Sequence, residues 1–428
     1  MKKILYVVLD GLGDLPHPDL NNQTPLQAAQ TPYLDNLAKQ GQSGLMHTVG
    51  KDIAPESDIA VISILGYDAE KYYTGRGPLE SYAEGLQVQD GDLAYRVNFA
   101  TLGEGKNILD RRVGRNLTTE EATQLSTEIN SKVKLSSVEA NFIFKNTIGH
   151  RGVLVISPRA GKLSAEVTNT DPAYDKIGHF GVAKEKFEKV LQVCKPVSGK
   201  ENLVEALNSA KLTNEFVDKS HQILDESETN KKRTATGKLK ANLVLTRDAG
   251  DRLPQLPSIQ DKFGVNFGCF VEMPVERGIA LLTGMQIIEI PLPSGDLKKD
   301  YTLRAEKVLS ALKNFDGLYV HIKGPDEPAH DGLAQEKKES IQAIDKYFFA
   351  NLIPQLDLNT NLVCVTADHS TPCILKAHSA DPVPVLISTG GIEPDQALTF
   401  SEQDCRRGKL GTLSGPDLMP LLINLAKK

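Results

Sequence analysis

A chain of 428 residues has length for two or three domains and a large core, which excludes a small stapled module. With 40% hydrophobic and 24% charged residues it has the mix of a folded globular protein, not of a disordered or collagenous chain. Its 49 Lys plus Arg against 55 Asp plus Glu leave a net charge of -6, so no global basic field is available to hold nucleic acid or an anionic membrane.

Met1-Lys2-Lys3 ahead of an apolar run resembles the start of a leader, but the run stops at Asp10 after six residues and lacks a small-residue cleavage pattern. Residues 4–9 read instead as a strand buried on both faces of a parallel sheet, ended by Asp10-Gly11. Thr31-Pro32 predicts a helix start with Thr31 as the cap, Leu34, Leu37 and Ala38 as the apolar face and Gly41 as the stop. Ser57 stands where the next apolar run, residues 59–65, begins. From about residue 90 to 240 the pattern changes to short alternating runs, such as 95–102 and 152–157, with polar segments between them. Residues 226–240 read as an exposed connection. Strands are predicted again at 317–322, 362–366 and 383–388, with helical spacing through Ile341, Ile344, Phe348 and Leu352 and through Leu418, Leu421, Leu422 and Leu425.

Both ends of the chain therefore read as α/β and the middle as an inserted second domain, with 1–90 plus 240–428 forming one domain and 91–239 the other. No apolar stretch nears the roughly 20 residues needed to cross a bilayer, so no membrane partner is expected. The five cysteines show no CxxC pair and their number is odd, which points away from a disulfide framework and toward a reducing cytoplasm.

Carboxylates and histidines cluster at the predicted strand ends. Asp10 follows the first strand, Asp326 and His330 the second, Asp368-His369 the third, and His378 precedes the fourth. Open parallel sheets carry their sites at the carboxyl ends of strands, so these side chains are expected to converge. Mixed carboxylate and imidazole donors suit Mn, Zn, Fe or Mg, and their number suggests two ions. Any one of them alone reads equally well as a turn former or a surface group. Ser57 has two readings of the same geometry: a helix cap, or a nucleophile facing free backbone amides that favour phosphate.

The motifs Val8-Leu9-Asp10-Gly11, Pro55-Glu56-Ser57-Asp58, His321 through Gly332, and Thr366 through Pro384 resemble, in order, those of the archaeal-type cofactor-independent phosphoglycerate mutases of the alkaline phosphatase superfamily. Asp110 through Arg115, His150-Arg151-Gly152 and Asp171-Pro172 extend the likeness over essentially the whole chain, while Pro328 and Asp248 depart from the family pattern. The resemblance implies an alkaline-phosphatase-like, mostly parallel sheet flanked by helices, with an inserted smaller α+β domain. It implies one divalent ion on Asp326, His330 and His378, and another on Asp10, Asp368, His369 and the Ser57 oxygen. Manganese or magnesium is expected, with zinc or cobalt as alternatives, and no bisphosphoglycerate. Ser57 becomes the phosphorylated nucleophile in the interconversion of 3-phosphoglycerate and 2-phosphoglycerate. The substrate would be held by Arg111, Arg112, Arg115, Arg151 and Arg247, and Lys323 would steady the phosphate oxygens or shuttle a proton. Another metal-dependent phosphomonoesterase or phosphosugar mutase of the superfamily is the alternative, and a non-catalytic metal- or phosphate-binding protein is a further one.

Overall fold

The computed structural model describes residues 1–177, 180–184 and 186–428. The chain divides into two compact units, Met1–Tyr72 with Gln255–Lys428, and Tyr73–Pro254. The expected joints at 90/91 and 239/240 both fall inside the second unit. The Arg76–Ala83 helix packs on the Leu93–Leu102 strand, and Leu243–Gly250 pairs with that same strand, so both segments go with the insert.

In the first unit eight strands form one sheet, in the order Gln286–Ile287, Phe267–Phe270, Gly317–Ile322, Lys3–Leu9, Asn361–Thr366, Val383–Thr389, Gln42–His47 and Gly411–Ser414. All neighbours are parallel except Val383–Thr389, which runs antiparallel to both of its own. Ile4 to Leu9 are completely buried, as a central strand covered on both faces requires. Parallel pairing sets Val8 level with His321 on one side and with Thr366 on the other, so the carboxyl ends of three strands finish together. Four further strands, Gln42–His47, Phe267–Phe270, Gln286–Ile287 and Gly411–Ser414, are too short or too glycine-interrupted to have stood out as apolar runs.

Two helix expectations change in detail. Thr31 occupies the cap position of the Pro32–Lys39 helix but makes no capping bond. Asp345 takes that role from a distance, its carboxylate accepting from the Leu34 N–H at 2.9 Å and the Tyr33 N–H at 3.3 Å. The helical spacing through residues 341–352 is likewise not one helix: Ala334–Ile344 is α-helical and Asp345–Phe349 widens into a π turn, which brings Asp345 into the buried interior.

The second unit is built on an antiparallel sheet in which Ile108–Asp110, Leu93–Leu102, Arg151–Pro158 and Ala140–Asn146 follow one another, with Leu243–Gly250 also paired to Leu93–Leu102. Helices Thr119–Lys132 and Val204–Asp225 accompany it. The segment expected to be an exposed connection holds a helix, Glu228–Ala235, pinned by buried Arg233. The Arg233 guanidinium donates to Glu121, to Asn116 Oδ1 and to the Leu239 carbonyl, so its polarity is satisfied inside the unit rather than by solvent. Among the described residues no helix is long and apolar enough to cross a membrane, and all five cysteines are free and buried.

Candidate active site

Asp10 leaves the end of the Lys3–Leu9 strand with Gly11 behind it in the left-handed region, φ 61°. A Cβ at Gly11 would lie 2.5 Å from Asp326 Oδ1 and 2.8 Å from Thr371 Oγ1, so glycine here lets the backbone come up against neighbouring site residues. The Gly11 and His369 N–H groups both donate to Asp368 Oδ1 at 3.1 Å, which fixes that carboxylate and leaves Oδ2 turned inward. Lys323, just past the end of the Gly317–Ile322 strand, donates to Asp10 Oδ2 at 2.8 Å and lies 2.6 Å from Glu276 Oε1. Burial works against the Lys323 charge, but Asp10 and Glu276 outweigh it and hold the ammonium above its ordinary range. The same lysine keeps Asp10 ionised against its burial. Lys323 thus stands as a positive charge between two carboxylates.

Asp326 and His330 share one face of the six-residue Asp326–Asp331 helix, four residues apart. His330 Nε2 is 3.4 Å from Asp326 Oδ2 and 3.2 Å from His378 Nε2, and His378 Nε2 is 3.7 Å from Asp326 Oδ1. The hydrogen bond that its ring donates to Asp326 raises His330 to about 9. His369 Nε2 lies 3.4 Å from both Asp10 Oδ1 and Asp368 Oδ2. Thr371 joins the two halves: its hydroxyl donates to Asp326 Oδ1 at 2.7 Å and sits 3.0 Å from His369 Nδ1.

Ser57 is the first residue of the Ser57–Ile64 helix, and the cap position belongs to Glu56, whose side chain makes no capping bond. The cap reading of Ser57 is therefore set aside, and its hydroxyl is 3.2 Å from His369 Nε2. His378 Nδ1 reaches the Pro55 carbonyl at 2.8 Å, tying the loop that carries Ser57 to the histidines.

Asp10, Ser57, Asp326, His330, Asp368, His369 and His378 are thus brought together within the first unit, and the carboxylates and imidazoles fall into groups that could hold metal ions: Asp326, His330 and His378, and Asp10, Asp326 and His369. The donor set fits divalent ions. Asp10 Oδ1 and Asp368 Oδ2 are buried without a hydrogen-bond partner, and the facing Nε2 atoms of His330 and His378 need a proton or a cation between them. A third group, Asp10, His321 and Asp368, contains a histidine that sequence reasoning passed over, because it lies inside the apolar run Gly317–Ile322. Glu276 and Thr371 were passed over as well; a buried glutamate in the mostly apolar Pro274–Leu282 helix was the available signal for the first.

The five singled-out arginines all belong to the second unit, in different settings. Arg111 makes a two-pronged pair with Asp171, both N···O distances 2.7 Å, which engages Asp171 as its partner. Arg115 is exposed, with φ 55°. Arg247 lies inside the Leu243–Gly250 strand, buried, its guanidinium 3.7 Å above the Tyr174 ring. Arg151 and Arg112, both partly buried, feel Arg247, Arg76 and Glu80 or one another. Buried Arg76 and Arg96 complete this cluster and were missed, although Arg96 interrupts the apolar run Leu93–Leu102. Burial opposes the Glu80 charge, yet Arg96, Arg76 and Arg247 outweigh it and hold its carboxyl below the ordinary range. His150, partly buried beside Arg151 and Arg112, is pushed down to about 4. The second unit therefore holds a partly desolvated positive cluster, suited to an anion.

A mostly parallel sheet whose strand ends gather carboxylates and imidazoles puts the chain with α/β enzymes that work at the carboxyl edge of their sheet. Residues 38–230 match the model of the 2,3-bisphosphoglycerate-independent phosphoglycerate mutases. The chain is 43% identical over 419 residues to the enzyme of that name from Aeropyrum pernix, covering 96% of each, and 37% identical over 430 residues to the one from Methanopyrus kandleri, covering 100% of this chain and 97% of the relative. Among solved structures it is similar to a cofactor-independent phosphoglycerate mutase from Thermoplasma acidophilum, with a TM-score of 0.65, 31% identity and complete coverage of both chains. A Pyrococcus horikoshii protein superposes with a TM-score of 0.79 at 28% identity, covering 100% of this chain and 97% of that one. The chain belongs to the family of 2,3-bisphosphoglycerate-independent phosphoglycerate mutases.

Proposed function

We propose that this isomerase interconverts 3-phosphoglycerate and 2-phosphoglycerate through a phosphoserine on Ser57, with two divalent ions, manganese or magnesium, as its metals. Asp326, His330 and His378 would hold one ion, and Asp10, Asp368, His369 and the Ser57 oxygen the other. When bound, the ions neutralise charge on phosphoryl oxygens and lower the pKa of a hydroxyl. The observation that carries this reading is the approach of Ser57 Oγ to His369 Nε2, with Ser57 at the first position of the Ser57–Ile64 helix.

In the first half-reaction Ser57 Oγ forms a bond to phosphorus while the bond from phosphorus to the substrate oxygen breaks. The Ser57 proton is lost and the departing glycerate oxygen gains one. The second half reverses these events on the neighbouring hydroxyl, so no phosphate donor is consumed. Lys323, pinned between Asp10 and Glu276, supplies fixed positive charge for phosphoryl oxygens. The first unit is the catalytic domain, and the arginine cluster of the second is assigned to the substrate anion. Arg112, Arg151 and Arg247 are the strongest candidates there, with Arg111 already engaged by Asp171 and Arg115 exposed. Five free, buried cysteines support a reducing cytoplasm as the compartment.

The test is a coupled assay for 2-phosphoglycerate from 3-phosphoglycerate, without bisphosphoglycerate, on chelator-treated protein with and without manganese, while free phosphate is followed. Metal-dependent product without phosphate release is expected. Phosphate release alone would mark a phosphomonoesterase and remove the substrate assignment.

A further inference from the structure

We propose that His321, through Nε2, is a further ligand of the ion assigned to Asp10, Asp368 and His369, giving that site two imidazoles instead of one. The inference rests on the two-ion reading above and adds a residue outside the ligand set given there.

Three buried atoms carry it. Asp10 Oδ1, His321 Nε2 and Asp368 Oδ2 each lack a hydrogen-bond partner, and their residues are 5%, 1% and 0% exposed. One orphaned buried polar atom costs about 1–3 kcal/mol, so three that lie within 4.8 Å of one another favour a cation shared between them. The other oxygen of each carboxylate is already engaged. Asp10 Oδ2 accepts from Lys323, and Asp368 Oδ1 accepts from two backbone amides, so the orphaned oxygens are the ones left for a cation.

The spacing matches a coordination sphere. Ligand bonds of about 2.0–2.2 Å separate neighbouring donor atoms by about 2.9–3.6 Å, from octahedral to tetrahedral arrangement. His369 Nε2 is 3.4 Å from Asp10 Oδ1 and 3.4 Å from Asp368 Oδ2. His321 Nε2 is 3.6 Å from Asp368 Oδ2 and 4.0 Å from Asp10 Oδ1, so with a small adjustment it joins Asp10, Asp368, His369 and the Ser57 oxygen as a fifth ligand.

His321 also shares an arrangement with the three histidines already assigned. In each, Nδ1 faces an oxygen that can accept its proton: Tyr319 Oη at 3.1 Å for His321, the Lys376 carbonyl at 3.2 Å for His330, Thr371 Oγ1 at 3.0 Å for His369, and the Pro55 carbonyl at 2.8 Å for His378. A proton on Nδ1 leaves the Nε2 lone pair for a metal, and an outer oxygen of this kind is the usual means of orienting a ligating imidazole. Glu276 Oε1 lies 3.8 Å from His321 Nδ1 on the same side, its charge met by Lys323.

The test uses the full chain loaded with cobalt chloride. Each coordinated histidine contributes one hyperfine-shifted, exchangeable imidazole N–H in the proton NMR spectrum. Four such signals are expected, one of them missing in His321→Asn; three signals in the wild type with two ions bound overturn the proposal and leave the two-ion reading intact. Manganese titration of the metal-free protein, followed by electron paramagnetic resonance, is the companion measurement. His321→Asn should weaken one of two binding events by about tenfold or more and spare the other. Two unchanged affinities would count against His321, whereas fewer than two ions on the wild type would defeat the two-ion reading itself. The wild-type spectrum decides the matter even if the buried variant folds poorly.

Discussion

Ser57 is placed to react because its hydroxyl is not consumed by the helix it begins: Glu56 occupies the cap position, and Ser57 Oγ faces His369. Ser57→Ala removes an exchangeable group from a half-buried position without opening a core cavity, so mutase turnover should fall by about a thousandfold or more while the thermal midpoint stays within a degree or two. Substantial residual turnover would rule out a covalent route through this residue. Thr371→Val keeps the shape but deletes the hydroxyl that steadies both Asp326 and His369, and manganese affinity should drop about tenfold by titration calorimetry. An unchanged affinity would reduce Thr371 to packing. Asp10, Asp326, Asp368 and their histidines were legible in the sequence because they fall in short polar stretches next to apolar runs that read as strands. His321 and Arg96 were harder to read for the opposite reason: each lies inside a strand whose other residues are core, where the apolar pattern hides a polar group.

The loops after the strands do the positioning, and they are held by groups distant in sequence. Lys337, fully buried, donates to Asp14 Oδ2 at 2.9 Å and to the Gly13 and Thr371 carbonyls, tying the loop after the first strand to the loop that follows Asp368-His369. Such long-range bonds leave no local pattern, which is why the strands could be read while the loop framework could not. Gly11→Ala should displace Asp326 and strain a positive φ, lowering stability by about 1 kcal/mol or more and weakening manganese binding, both measurable by denaturant titration with and without the ion. Equal stability and affinity would show that Asp326 has room to move. Glu402, in the same framework, accepts from Thr24 and from the Asp14 N–H, and burial pushes its carboxyl up to about 7 from 4.5. Below about pH 4.5 it is neutral folded and unfolded, and it contributes no pH dependence. Between there and about 7 the folded state binds more protons, so stability falls as pH rises, by up to about 3 kcal/mol once both states are ionised. Glu402→Gln should therefore gain on the wild type between pH 5 and pH 8 in urea unfolding; parallel curves would contradict the assignment.

The chain as a whole separates its chemistry by unit, with the carboxylate and imidazole donors in Met1–Tyr72 plus Gln255–Lys428 and the buried arginine cluster in Tyr73–Pro254. The two-part α/β and α+β organisation was legible from the change in pattern near residues 90 and 240. The Arg76–Ala83 helix and the Leu243–Gly250 strand go with the insert through long-range packing and pairing, which local composition does not record. Metal binding by side chains of the first unit should protect the ends of Lys3–Leu9, Gly317–Ile322 and Asn361–Thr366 from hydrogen exchange when manganese is added to chelated protein. No gain in protection in those strands would argue against a resident ion. The most direct examination of the covalent route is to mix metal-loaded protein with 3-phosphoglycerate, quench in acid within a turnover and map the phosphoryl group by peptide mass spectrometry. Phosphate on the peptide containing Ser57, absent in Ser57→Ala, is the expected result; full turnover with every serine unmodified would contradict it.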